Sequence, residues 1–130
     1  MKKFYFLIFT VIFFISTNNV TAQGKEEANY LKVIAQSLPD QYIKSNSELF
    51  FTIQIGAYKN DNITLETLDN VTTTKEANLN KYRLGEFLTY KEASEYRNML
   101  LSVCSDAFIV PIKNGVRIHI KEALKSGTIL

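Results

Sequence analysis

The sequence predicts an α+β domain, two strand–helix–strand halves folded on one sheet, and three observations predict it. A phrase of apolar, polar, apolar, glycine, any residue, aromatic occurs twice, as Ile53-Gln54-Ile55-Gly56-Ala57-Tyr58 and as Tyr82-Arg83-Leu84-Gly85-Glu86-Phe87. Thr89 and Glu92 have the spacing of a helix capping box, in which each side chain satisfies the other's free backbone N–H. Asn114-Gly115 lies between two strand-like stretches, the signature of a two-residue hairpin turn.

Residues 1–22 read as an export leader and stand apart from the fold. Lys2 and Lys3 precede an almost unbroken apolar run from Phe4 to Ile15, and a polar stretch then ends in Val20-Thr21-Ala22. Small residues at the −3 and −1 positions meet the requirement of a cleavage site. The apolar run of 12 residues is shorter than the roughly 20 that cross a bilayer as a helix. The expected mature chain starts at Gln23, is periplasmic, and is not embedded in a membrane after cleavage. An uncleaved N-terminal anchor is the alternative. No cysteine lies near the cut, which excludes a lipoprotein anchor.

The remaining 108 residues carry 13 Lys and Arg against 13 Asp and Glu. Nucleic-acid partners are met with a clustered basic excess, so none is expected. The length suits one small domain with a core able to fold without staples. Cys104 is the only cysteine, so no internal disulfide forms. It follows Leu100 and Val103 in an apolar stretch and reads as a small buried hydrophobe rather than a reactive thiol.

Residues 23–48 read as a short helix and tether, ahead of a domain spanning 49–130. In KEEANYLKVIAQSL, Tyr30, Val33, Ile34 and Leu38 fall near helical spacing, and Pro39-Asp40 breaks the run. The first strand begins at Leu49, where Phe51, Ile53 and Ile55 alternate with Thr52 and Gln54. Ile63, Leu65 and Leu68 support one or two helical turns. VTTTKEA is β-branched, and Ala77-Asn78 turns it into LNKYRLGEF, an antiparallel hairpin. The helix opened by Thr89 carries Ala93, Tyr96, Leu100 and Val103 on one stripe and ends at Ser105-Asp106. AFIVPI is a strand, joined through Asn114-Gly115 to VRIHI. Pro111 has no N–H, so its nitrogen side must face an edge or a bulge. KEALKSG closes the chain with a helical turn. Gly56 and Gly85 sit where strand becomes turn, a place that needs an unusual conformation or a close approach. Tyr58 and Phe87, two positions on, are expected to drop into the core.

With these residues in view, 50 to about 124 resembles the SPOR (sporulation-related repeat) domain, a bacterial peptidoglycan-binding family. IQIGAY matches the family's opening strand and Gly-small-aromatic turn, YRLGEFLTYKEASEYRNML its second strand, turn and helix, and DAFIVPIKNGVRI its last strand. The tail KNGVRIHIKEAL is similar to a variant of exported Bacteroidetes proteins. The resemblance implies a SPOR/ferredoxin-like βαββαβ fold, a four-stranded antiparallel sheet with two helices on one face, here with a C-terminal hairpin added. It also implies a non-catalytic function, the binding of glycan strands stripped of their stem peptides, and no cofactor.

Strand alternation says which residues the open face offers. If Ile53 and Ile55 face the helices, Thr52 and Gln54 face away. If Tyr82 and Leu84 face the helices, Leu79, Lys81 and Arg83 join Gln54 on the exposed side. The family places a glutamine, a basic residue and an apolar residue at the positions matched by Gln54, Lys81 and Phe108. Amide and guanidinium groups hydrogen-bond hydroxyls and acetamido carbonyls, and an apolar ridge packs on pyranose faces. The candidate glycan-binding set is therefore Gln54, Lys81, Arg83, Phe108 and Thr52.

Each has a plainer reading. Gln54 suits a solvated strand face, Lys81 and Arg83 suit gatekeeper charges on an exposed strand, and Phe108 suits core, since AFIVPI is apolar on both faces. Two departures from the family bear on function: Leu79 stands where Trp is frequent, and Ala57 where Ser is frequent. The first helix is also short, which leaves one edge of the sheet more open. The alternative function is a protein–protein module for an envelope partner, using the same face with a vestigial glycan site. Catalysis has little to rest on. His119 is the only histidine and has no second ligand for a metal. Nothing in the sequence sets Glu76 and Glu86 around a groove for glycoside cleavage.

Overall fold

The computed structural model describes residues 26–126; the expected leader and the cut before Gln23 lie outside the described residues. Residues 26–36 form a helix, α1, and a 3-10 turn follows at Asp40–Tyr42. The alternating stretch Leu49–Tyr58 is β1, and the four residues Ile63–Glu66 are α2, capped by the Asn62 side chain on the Leu65 N–H. Val71–Glu76 is β2 and Leu79–Phe87 is β3. Tyr90–Leu100 is α3, Phe108–Lys113 is β4, Val116–Arg117 is β5, and Ile120–Ser126 is α4. The sheet order is β2-β3-β1-β4-β5 and every neighbouring pair is antiparallel. The fold is thus α+β, as expected. The strand number is five rather than four, because the second strand of the C-terminal hairpin joins the same sheet.

Both hairpin turns form where the sequence marks them. Ala77 and Asn78 have φ of 51° and 63°, and Asn114 and Gly115 have 52° and 80°. Two successive positive φ values give the turn whose twist matches a right-handed strand pair. Pro111 also sits as expected. Its carbonyl accepts from the Ile118 N–H at 3.1 Å, just past the end of β5, so its nitrogen faces the side where the ladder has stopped.

One core cluster takes side chains from all four helices and from one face of the sheet. Ile53 of β1 and Tyr82, Leu84 and Phe87 of β3 are fully buried there, beneath Ala93 and Leu100 of α3, Leu65 of α2 and Ala123 of α4. The helix expected within 23–48 forms as α1, but it packs into the domain core instead of standing ahead of the domain. Leu31, Ile34, Ala35 and Leu38 are all buried in this core, while Tyr30 and Val33 are 44% and 54% exposed. The stripe at i, i+3, i+4, i+7 starts one residue later than the sequence reading placed it. Burying each of the three large side chains contributes about 1.5–3 kcal/mol, enough to seat α1 in the domain. Asn70 Nδ2 adds a hydrogen bond to the Ala35 carbonyl at 2.8 Å.

The repeated phrase turns out to mark two irregularities inside strands rather than two strand ends. Between the pairs Gln54–Arg83 and Gly56–Tyr82, β1 spends one extra residue; between Phe51–Phe87 and Ile53–Leu84, β3 spends one. Gly85 has φ +73°, and a Cβ there would stand 2.8 Å from Phe87 Cε2. A Cβ on Gly56 would stand 2.6 Å from Tyr58 Cε2 and 2.9 Å from Leu65 Cδ1. Each glycine therefore meets a need a side chain would block, and a bulge bends its strand and raises the local twist. The aromatic echo is only half kept: Phe87 is fully buried, but Tyr58 is 44% exposed.

α3 starts at its cap and stops early. Thr89 Oγ1 accepts from the Glu92 N–H at 3.1 Å and donates to Glu92 Oε1 at 2.8 Å. The helix ends at Leu100, whose carbonyl then takes the N–H groups of both Val103 and Cys104. Tyr96 packs its ring 5.4 Å from those of Phe87 and Tyr42.

Candidate functional site

All five candidate residues lie on the helix-free face. Gln54 is paired across strands with Arg83 on one side and Phe108 on the other, and Thr52 is paired with Val110. Lys81 pairs with Thr74, and Arg117 of β5 with Ile112, which itself pairs with Phe50. Directly opposed residues share a face, so register alone carries this placement. Phe108 is 37% exposed beside Gln54, while its predecessor Ala107 is buried in the core.

Their exposure differs from the sequence expectation. Thr52, Gln54 and Arg83 retain only 3%, 4% and 4% of their accessible surface. The face is concave: Thr72 and Thr74 of β2 line the same hollow of about 280 Å³ as Ile112 of β4 and Gly115 of its turn. A sheet bent at two bulges shelters its central strands with its outer ones. A second hollow of about 280 Å³ lies beside it, lined by Gln54, Ala57, Tyr58, Asp106 and Phe108. Lys81 is half-buried.

The buried polar groups are joined to one another. Arg83 donates from both terminal nitrogens to Glu76, 2.9 Å to Oε2 and 2.8 Å to Oε1. Its Nε donates to Gln54 Oε1 at 3.4 Å, and Thr52 Oγ1 donates to the Leu84 carbonyl at 3.2 Å. A guanidinium can only donate, so it fixes which end of the Gln54 amide faces it. The Gln54 NH2 group is left pointing the other way. It has no partner among the described residues, and no buried side-chain nitrogen there is left unpaired, so this donor reaches the solvent of the groove. Glu76 is held below the usual carboxylate range, first by its hydrogen bonds to Arg83 and then by the charges of Arg83, Arg117 and Lys81.

Two site residues escaped the sequence reading. Glu76 was weighed there only as a possible catalytic carboxylate, and Arg117 was not considered. Both were findable by parity: a two-residue turn pairs Glu76 with Leu79, on the face of Arg83, and Asn114-Gly115 pairs Arg117 with Ile112. The Arg117 guanidinium lies over the Phe108 ring, 5.7 Å from its centroid.

Other reactive types are otherwise engaged. Glu86 Oε1 accepts from the Ser45 N–H at 3.0 Å, and both oxygens of Glu76 serve Arg83. His119 is exposed in the two-residue link between β5 and α4 rather than on a strand, and its Nδ1 accepts from the Lys121 N–H at 3.1 Å. Cys104 is half-buried, and burial pushes its thiol pKa up. Among the described residues no group of three or more His, Cys, Asp and Glu side chains could hold a metal, and no helix is long and apolar enough to cross a membrane. Comparison with protein-family models, with curated proteins and with solved structures gives no match.

Proposed function

We propose that the chain is an exported, non-catalytic cell-wall module of the SPOR type, which takes peptide-free peptidoglycan glycan strands on the concave face of its sheet. The observation that carries this reading is the cross-strand pair Gln54 and Phe108. A buried amide presents its donor end to the groove next to an exposed aromatic ring, with Lys81 on the same face. A sugar ring needs this combination: an apolar surface for its face and a directed donor for its acetamido or hydroxyl oxygens. The order β2-β3-β1-β4, with helices following β1 and β3, suits the ferredoxin-like arrangement of that family, and β5 is an addition to it. Arg83 and Thr52 act beneath the surface in this reading: they hold Gln54 and the sheet rather than the ligand.

Sedimentation with purified sacculi, before and after amidase treatment, tests the proposal. The chain should pellet with amidase-treated sacculi and much less with untreated ones. Failure to pellet with either overturns the reading. A protein–protein module on the same face is the second reading, favoured by the burial of Arg83 and Thr52, which leaves fewer polar groups for a sugar.

A further inference from the structure

We propose that β2 is a dimerisation edge: two copies of the chain pair antiparallel through Val71–Glu76, about a two-fold axis at Thr73, and join their sheets into one. The edge takes no part in the glycan reading, and the pairing stands or falls without it.

The two ends of the sheet are finished differently. At one end β5 is only Val116–Arg117, too short to template a partner strand. At the other end β2 runs over Val71–Glu76, and Thr72, Thr73, Thr74 and Lys75 are all exposed. Edges are normally kept from pairing by proline, a bulge, a covering element or charge. β2 has no proline, its register with β3 runs without a shift, and Lys75 is the one charge on its exposed stretch.

Alternation fixes which backbone groups are free. The Asn70 carbonyl accepts from the Gly85 N–H at 3.2 Å, and the two-residue turn at Ala77-Asn78 makes Glu76 and Leu79 a hydrogen-bonded pair. Thr72, Thr74 and Glu76 therefore turn their N–H and C=O groups to β3, and Val71, Thr73 and Lys75 turn theirs outward.

Those three residues are spaced for a copy of themselves. With Thr73 opposite Thr73 of the second copy, Val71 falls opposite Lys75, and each outward N–H meets an outward carbonyl. On the concave side Thr72 stands opposite Thr74 of the second copy, a favourable cross-strand pair, and no like charges are opposed. Charge also sets the direction. Asp69 precedes β2 and Lys75 lies near its far end. An antiparallel copy brings each Lys75 toward the acid-bearing end of the other strand, whereas a parallel copy sets lysine beside lysine. Thr72 and Thr74 also line the first hollow, so the hollows of the two copies meet at the axis and the grooves run on as one.

Sedimentation equilibrium of the full chain without glycan, from nanomolar to high micromolar concentration, tests the pairing. The wild type should pass from monomer to dimer. Thr73→Lys sets like charges against each other at the axis and should weaken self-association about tenfold or more, as should Thr73→Glu. Thr73 is exposed, so unchanged far-ultraviolet circular dichroism of the dilute variants checks that they are folded. Mixing the Lys and Glu variants in equal amounts should restore the dimer, because only a two-fold axis at this residue sets the two charges together. A wild type that stays monomeric throughout, a dimer indifferent to both substitutions, or a mixture that fails to recover overturns the proposal. None of these outcomes bears on whether the concave face binds glycan.

Discussion

Arg83 reaches along its own hairpin to hold both oxygens of Glu76, at 2.9 and 2.8 Å, while only 4% of Arg83 remains exposed. A charge this sheltered is tolerated because its partner is there. The pair also carries the site, since the same guanidinium orients the Gln54 amide through Nε. Glu76 is thus a positioning residue for a groove it does not line.

Glu76→Gln should lower stability at neutral pH by about 2–4 kcal/mol, because it leaves a buried arginine without its counter-charge. The Glu76 side chain is 29% exposed, which keeps the loss at the lower end of that range. Thermal melting of wild type and variant measures it.

The same pair sets an acid limit. The Glu76 pKa is lowered from its ordinary value of 4.5, chiefly by Arg83. A carboxyl whose folded pKa lies below its unfolded one binds fewer protons when folded. Its contribution is complete above the unfolded value and is lost as pH falls through the folded one. The wild-type melting temperature should therefore fall below pH 4.5, and the part due to this residue should vanish in Glu76→Gln. Equal acid slopes for the two proteins would refute the assignment.

Gly85→Val should cost about 3 kcal/mol or more, since strain at φ +73° adds to a collision with the buried Phe87 ring. Gly56→Ala should cost less: the atom nearest its new methyl, at 2.6 Å, is the end of a half-exposed tyrosine. Denaturant unfolding of both variants gives the order, and a reversed order would show that the two bulges play other parts.

Ala77→Asn should stabilise the protein by about 0.5–1 kcal/mol. Ala77 holds φ 51° in the β2–β3 turn, a conformation that costs most side chains roughly 1–2 kcal/mol and that asparagine tolerates. A rise in melting temperature with unchanged glycan binding is the expected result.

Gln54→Ala with Lys81→Ala should reduce binding to amidase-treated sacculi several-fold. The variant should also lose about 1 kcal/mol of stability, because Gln54 is buried and its loss strands one Arg83 donor. Lys81→Ala alone should bind more weakly with almost no change in stability. If the double variant binds like the wild type, the concave face is not the site.

The sequence by itself determined the cap, the two hairpin turns and the strand faces, all of which have short-range causes. Thr89 caps α3, Asn114-Gly115 and Ala77-Asn78 turn their hairpins, and the alternation of Ile53 with Gln54 and of Leu84 with Arg83 sorts each strand into two faces. Those signals depend only on backbone periodicity and on which residues tolerate which φ. What only the tertiary structure decided is how those faces meet the solvent. Two one-residue bulges, at Gly56 and Gly85, curl the sheet and turn an expected exposed patch into a floor where Gln54 and Arg83 are buried. The α1 stripe could be read as starting at Tyr30 or at Leu31, and only the core it packs against chose Leu31. Burial is a sum over neighbours distant in the chain, and Glu76, Arg83, Phe108 and Arg117 become one site only when strands 40 residues apart are drawn around the same groove.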